Sequence, residues 1–259
     1  MAINTKEDIC MKCILLCAGY ATRLFPLTEN FPKMLLDIGG RPLLDYTVDQ
    51  VNTIDEIDEI YAVTNNRYAK HIEEWAKSKN NVKPITVIND GSNSNDDRLG
   101  AIGDIKYTID KMKIDDDLVI IAGDNLFTFD LRDAIDYSKE KNAPVVCVKA
   151  SDDIELLRRV GIAEVDETGR IIGFEEKPQN PKSNLCTYAE YIYPKEVVKY
   201  FDEYIEQGNP IDAPGNFVAW LYKKTDTYAF EFDGECYDVG THESLKEVSE
   251  LYRRKNEEK

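Results

Sequence analysis

Short apolar runs recur along this chain, and between them apolar residues return at helical spacing. Cys13–Cys17, Ile60–Thr64, Ile85–Ile88, Leu118–Ala122 and Val145–Val148 are apolar at successive positions, the mark of strands buried on both faces. Leu43–Ile54, Tyr68–Lys79, Leu99–Met112 and Leu131–Lys141 carry their apolar residues on one helical stripe. Strands alternating with helices predict an α/β fold, a doubly wound and mostly parallel sheet flanked by helices. In such sheets ligands gather outside the C-terminal ends of the strands.

After about residue 150 the pattern changes. Gly161–Asp166 and Ile171–Glu175, joined by Glu167-Thr168-Gly169-Arg170, predict a β-hairpin, and Leu185–Tyr193 a further strand. Glu196–Gln207 predicts a helix stopped by Gly208, and Phe217–Tyr222 a short buried one. Tyr228–Phe232 and Glu235–Tyr237 flank Asp233-Gly234 and predict a second hairpin. The tail from Glu243 to Lys259 is an amphipathic helix that turns charged on all sides. With no internal repeat or long linker, residues 1–259 are expected to form a single domain. Its parts are residues 1–150, a smaller hairpin-rich lobe at 151–241 on the same sheet, and the helix at 242–259.

Composition narrows the function. The chain has 259 residues, is 42% hydrophobic, and bears a formal net charge of −17. Such a surface repels nucleic acid and anionic membranes, so neither is an expected partner. Any phosphate-binding site must gather its own local cations. No apolar run approaches the roughly 20 residues of a membrane helix. Met1 to Asp8 is polar and acidic, unlike a secretory leader. Cys10 and Cys13 form a C-x-x-C with Cys17 beyond, but no second ligand cluster accompanies them. Small buried thiols in a reducing, cytoplasmic setting are the expectation.

Four segments bear candidate chemistry. Leu15-Leu16-Cys17-Ala18-Gly19-Tyr20-Ala21-Thr22-Arg23-Leu24-Phe25-Pro26-Leu27-Thr28 ends an apolar strand in a small-residue turn that carries an arginine. Small residues let backbone N–H groups approach phosphate oxygens, and the guanidinium of Arg23 suits phosphate by its fork geometry. Pro32-Lys33-Met34 follows, with Lys33 at a fixed remove from Arg23. Gly123-Asp124-Asn125 closes the strongest apolar strand, where a carboxylate is placed to hold Mg²⁺, a hard cation that takes oxygen ligands. Glu175-Glu176-Lys177-Pro178 leaves the first hairpin with a carboxylate suited to vicinal hydroxyls and a lysine suited to phosphate. Each taken alone is also an ordinary turn or a solvated charge.

Taken together, in this order, they resemble the sugar-1-phosphate nucleotidyltransferases (NDP-sugar pyrophosphorylases), whose signature runs G-x-G-T-R-L-x-P-L-T, then P-K, then E-K-P. Tyr237-Asp238-Val239-Gly240-Thr241 resembles the family's W/Y-x-D-x-G-T. The resemblance covers residues 15 to 241 and implies a Rossmann-like fold with a sugar-binding lobe. It implies that Ala18, Gly19, Ala21, Thr22, Arg23, Leu99 and Asp124 bind the nucleotide, and that Gly161, Glu176 and Lys177 bind the sugar phosphate. Arg23, Lys33 and Lys177 then serve the reaction, and Asp124 and Asp238 share Mg²⁺. The implied substrates are a nucleoside triphosphate and a sugar 1-phosphate. Gly-Asp-Asn-Leu-Phe resembles thymidylyl- and uridylyltransferases, which favours dTTP or UTP with glucose 1-phosphate. Relatives often form dimers or tetramers, which leaves a homo-oligomer open, although the sequence does not fix the oligomeric state.

The sequence departs from this pattern in three places. Ala21 stands where the family has its second glycine. Asn93–Ala101 replaces the base-reading Q-x-x-P-x-G-L-A and keeps little beyond Leu99 and a small neighbour. Thr187-Tyr188-Ala189-Glu190-Tyr191 replaces T-G-x-Y, which puts bulk and charge at a usual sugar contact. The alternatives are therefore a cytidylyltransferase acting on another small phosphate, or a non-catalytic sugar-nucleotide-binding subunit. A dinucleotide-dependent oxidoreductase is disfavoured, because Ala21 and Leu24 stand where G-x-G-x-x-G needs glycine.

Overall fold

Residues 10–257 are described by the computed structural model. The polar segment Met1–Asp8 lies outside the described residues, as do the last two residues of the tail. Met11–Leu16 runs parallel between Ile57–Thr64 and Asp117–Ala122, and Ile85–Asn89 extends the parallel set beyond Ile57–Thr64. Leu185–Tyr193 lies antiparallel on the other side of Asp117–Ala122 and also pairs with Val145–Ala150. The hairpin of Gly161–Val165 and Ile171–Glu176 joins at the start of that strand. All belong to one nine-stranded sheet, so the two halves of the chain share it.

Alternation along the strands assigns the two cores. Cys13, Leu15, Val119 and Ile121 face the helices Leu43–Asn52, Ala69–Ser78 and Leu131–Lys141, whose Leu44, Val48, Ile72 and Ile135 are buried with them. Ile14, Leu118 and Ile120 face the opposite way, against Ile102 and Ile105 of Ala101–Met112 and Phe217 of Pro214–Leu221. The tail helix His242–Glu257 buries Val248 and Tyr252 against Ile38 and Leu43. It approaches Gly39 so closely that an added Cβ would lie 2.7 Å from the Tyr252 carbonyl carbon, and φ there is +64°. Glycine alone meets both conditions. Among the described residues no helix is long and apolar enough to cross a membrane.

Two expectations are corrected. The helix expected over Glu196–Gln207 is broken into Lys195–Val198 and Tyr200–Glu206. The second hairpin does not form. Tyr228–Glu231 pairs in parallel with Val145–Ala150, while Cys236–Asp238 pairs antiparallel with Asn125–Phe127. Phe232 explains the divergence, because its ring stacks on Phe129 at 4.2 Å and draws the chain across to that second partner. Asp233-Gly234 is a bend, with Gly234 at φ +128°, after which the Thr128 N–H donates to the Glu235 carbonyl at 2.9 Å.

Candidate active site

A cleft of about 580 Å³ opens at the C-terminal ends of the parallel strands. Its first wall is the turn after Met11–Leu16. Asn65 Nδ2 donates to the Ala18 carbonyl at 2.9 Å, and Thr28 Oγ1 to the Ala21 carbonyl at 2.8 Å. Tyr68 Oη, fully buried, donates to the Tyr20 carbonyl at 3.3 Å and the Thr28 carbonyl at 2.5 Å. The loop's oxygens are thus tied back into the protein. Among the described residues, the N–H groups of Ala18 to Arg23 have no protein acceptor. Such a row of free backbone donors suits an anion. Ala18, Gly19, Ala21, Thr22 and Arg23 all line the cleft.

Ala21 sits at φ 45°, ψ 45°, the left-handed region that a side chain resists. Ala21→Gly is therefore expected to raise stability by about 0.5–1 kcal/mol. Thermal melts would register this as a Tm increase of roughly 1–4 °C.

The second wall carries the acidic pair. Gly123 lies beside the end of the first strand so closely that a Cβ would lie 2.7 Å from Cys17 Sγ, and its N–H donates to the Leu16 carbonyl at 3.0 Å. That parallel pairing delivers Asp124 beside the turn from Ala18 to Arg23. Asp238 arrives through the pairing of Cys236–Asp238 with Asn125–Phe127, in which it sits opposite Asn125. Lys33, only 3% exposed, places its ammonium between them: Nζ donates to Asp124 Oδ2 at 3.0 Å and Asp238 Oδ1 at 3.3 Å. A Cβ on Gly240 would meet Asp238 Oδ2 at 2.8 Å and an Arg23 guanidinium nitrogen at 3.1 Å, so Arg23 closes over the same point. Two carboxylates, one lysine and one arginine from four distant segments therefore converge. Hard oxygen donors aimed into a cleft beside free backbone N–H groups fit a divalent cation shared with phosphate, which commonly takes one or two protein carboxylates.

At the far end Glu176 closes the strand Ile171–Glu176, and Lys177 follows at φ 50° with its N–H donating to the Val160 carbonyl at 3.1 Å. Glu176 Oε2 lies over two bare glycines, 3.0 Å from a Cβ built on Gly161 and 1.9 Å from one on Gly215. Burial raises the Glu176 carboxyl above the usual range, against the lowering pull of Lys177, whose Nζ is 3.6 Å from Oε1. Either glycine given a side chain would displace this carboxylate.

Leu99 is half-buried and does not line the cleft, although Arg98 and Gly100 on either side do. Glu190 is also absent from the cleft. It is fully buried within the sheet, and its carboxyl is raised well above normal by loss of solvent. The residue that takes φ 47° in that strand is Ala189, which reaches the cleft instead. Gly215, Arg159 and Asp104 also line the cleft and were not singled out from the sequence. Nothing in the local pattern marks Asp104, which reads as the polar side of a helix.

A mostly parallel sheet with a free N–H turn, an acidic pair and a distal Glu–Lys makes an α/β protein whose cleft suits phosphates. Residues 12–255 match the family model described as Nucleotidyl transferase, and the chain belongs to that family. The Bifunctional protein GlmU of Methanocaldococcus jannaschii is 31% identical over 230 residues, covering 89% of this chain and 51% of its own length. A glucose-1-phosphate adenylyltransferase of Clostridium novyi is 28% identical over 251 residues, covering 91% of this chain and 65% of its own length. A solved Bacillus anthracis structure bearing the name glucose-1-phosphate thymidylyltransferase, in complex with sucrose, matches with a TM-score of 0.79 at 26% identity. That match covers 94% of this chain and 95% of the other. The chain spans about half the length of the first curated relatives it matches.

Proposed function

We propose that this chain condenses a nucleoside triphosphate with a sugar 1-phosphate to give a nucleotide sugar and pyrophosphate. The observation that carries the reading is the convergence of Asp124 and Asp238 on Lys33 Nζ, under Arg23 and beside the unpaired N–H groups of the first loop. A phosphate oxygen of the sugar phosphate attacks the α-phosphorus in line, and the bond to the β-phosphate oxygen breaks. The nucleophile is already anionic, so no proton need be removed. Catalysis then rests on positioning and charge neutralisation.

The backbone from Ala18 to Arg23 cradles the outgoing phosphates. Arg23 and Lys33 balance their charge. Lys177 holds the incoming phosphate against repulsion from the triphosphate, and Glu176, seated over Gly161 and Gly215, accepts hydrogen bonds from sugar hydroxyls. Asp124 and Asp238 would hold Mg²⁺, which when bound supplies a positive charge shared by the reacting phosphates. The free, mostly buried cysteines support a reducing cytoplasmic setting. The name of the Bacillus anthracis neighbour supports dTTP with glucose 1-phosphate as the first pair to try, with UTP as the second triphosphate.

Pyrophosphate release, measured over the common triphosphates and sugar 1-phosphates with Mg²⁺, tests this reading. Turnover with one triphosphate and one sugar phosphate is expected. A nucleotide-dependent rise in Tm with no turnover across the screen would instead make the chain a regulatory binding subunit. Lys177→Ala is expected to weaken sugar phosphate binding about tenfold or more, the worth of one charge-assisted hydrogen bond, with little change in nucleotide binding. Separate titrations of the two ligands check the split.

A further inference from the structure

Asp104 lies in the first turn of Ala101–Met112 and is 6% exposed, yet it borders the cleft with Leu16, Arg98 and Ala101. Its Oδ1 is enclosed and has no hydrogen-bond donor from the protein. The neighbour is Asp90, another carboxylate, and two carboxylates can bond only with a proton between them. Asp90 already accepts from the Ser92 N–H at 2.7 Å and Ser92 Oγ at 2.8 Å. Burial, and then Asp90 beside it, push the Asp104 carboxyl up to about 8, so Asp104 holds a proton at neutral pH. With that proton turned to Asp90, the remaining Asp104 oxygen is an acceptor.

The cleft has three regions. The loop from Ala18 to Arg23 with the acidic pair suits phosphates, and the Glu176–Lys177 end suits the sugar phosphate. The third is walled by Leu16, Asn95, Arg98, Gly100, Ala101 and Asp104. A triphosphate lying on the loop, with its α-phosphorus facing the sugar end, can turn its base toward this third region. Resting on the nucleotidyltransferase reading, we propose that Asp104 reads the base, its free oxygen accepting an N–H from the base edge. Selection thus draws on a neutral carboxyl in the helix, beside Asn95 and Arg98 of the loop that replaces the usual base-reading segment. A buried acid beside another acid is a costly arrangement for folding alone, and a ligand contact accounts for it.

The test compares wild type with Asp104→Leu, Asp104→Ala and Asp104→Asn. Dissociation constants are measured for UTP, dTTP, CTP, ATP and GTP, and for inorganic tripolyphosphate as a base-free probe, all with Mg²⁺. The Leu and Ala variants are expected to lose roughly tenfold or more of the discrimination between the preferred triphosphate and the others, the worth of one specific contact to a base edge. Their tripolyphosphate binding should match wild type, which also shows that the phosphate end remains folded. Asp104→Asn should keep the discrimination, because its amide can donate to Asp90 and still offer an oxygen to the cleft. Undiminished discrimination in Leu and Ala, or an equal loss for tripolyphosphate, overturns the assignment of Asp104 alone. Failure of wild type to bind any nucleoside triphosphate removes the underlying reading, and this inference with it.

Discussion

Asp124→Asn is expected to lower turnover by about 10²–10³-fold, the range seen when one preorganised electrostatic group is removed from a reacting centre. The substitution keeps the size of the side chain and removes its charge. It also leaves an amide facing the Lys33 ammonium, where Asp124 Oδ2 now accepts at 3.0 Å. Asp124 is 39% exposed and lies outside both cores, so the fold should survive with a Tm close to wild type. Pyrophosphate release gives the rate, and a thermal melt verifies folding. Near-normal release from a folded Asp124→Asn protein would remove this residue from the reaction.

Lys33→Met should separate the lysine's two roles. Its ammonium is nearly inaccessible to solvent and is the common partner of Asp124 and Asp238. Removing it leaves two carboxylates in a shared pocket with no local cation from this residue. Because both are partly exposed, at 39% and 58%, water can compensate, and the loss of stability should stay within about 1 kcal/mol. The uncompensated negative charge should tighten binding of a divalent cation. Turnover should nevertheless fall by about 10²–10³-fold, because the triphosphate loses a buried positive group. Mn²⁺ titration, pyrophosphate release and a thermal melt read the three effects separately. Weaker cation binding in Lys33→Met would mean that the lysine organises the acidic pair and does not compete with the metal for it.

Some elements were legible because their signal is local. Leu118–Ala122 is an unbroken apolar run, Leu185–Tyr193 is largely apolar and aromatic despite Thr187 and Glu190, and each forms a strand. Leu131–Lys141 shows one apolar stripe and folds as a helix over those residues, with Asp130 capping its start. The turn from Ala18 to Arg23 was legible from residue size and from the arginine within it. By contrast, the two strands around Asp233-Gly234 were misread because a good turn between two β-prone runs implies a hairpin, and nothing local shows that each run has another partner. Asp104 was missed for a related reason. A polar residue on a helical stripe looks solvated until the opposing strands enclose it.

By itself the sequence determined which segments become strands and helices, and which chemical groups stand at their ends. These depend on side-chain periodicity, turn residues and charge, all of which act over a few neighbours. Tertiary structure decided which ends meet. Asp238 reaches Asp124 only because Cys236–Asp238 hydrogen-bonds to Asn125–Phe127, and backbone donors and acceptors are nearly the same at every residue, so they do not name their partner in advance. It also decided which carboxyls stay neutral, since desolvation arises from the atoms that pack around a group.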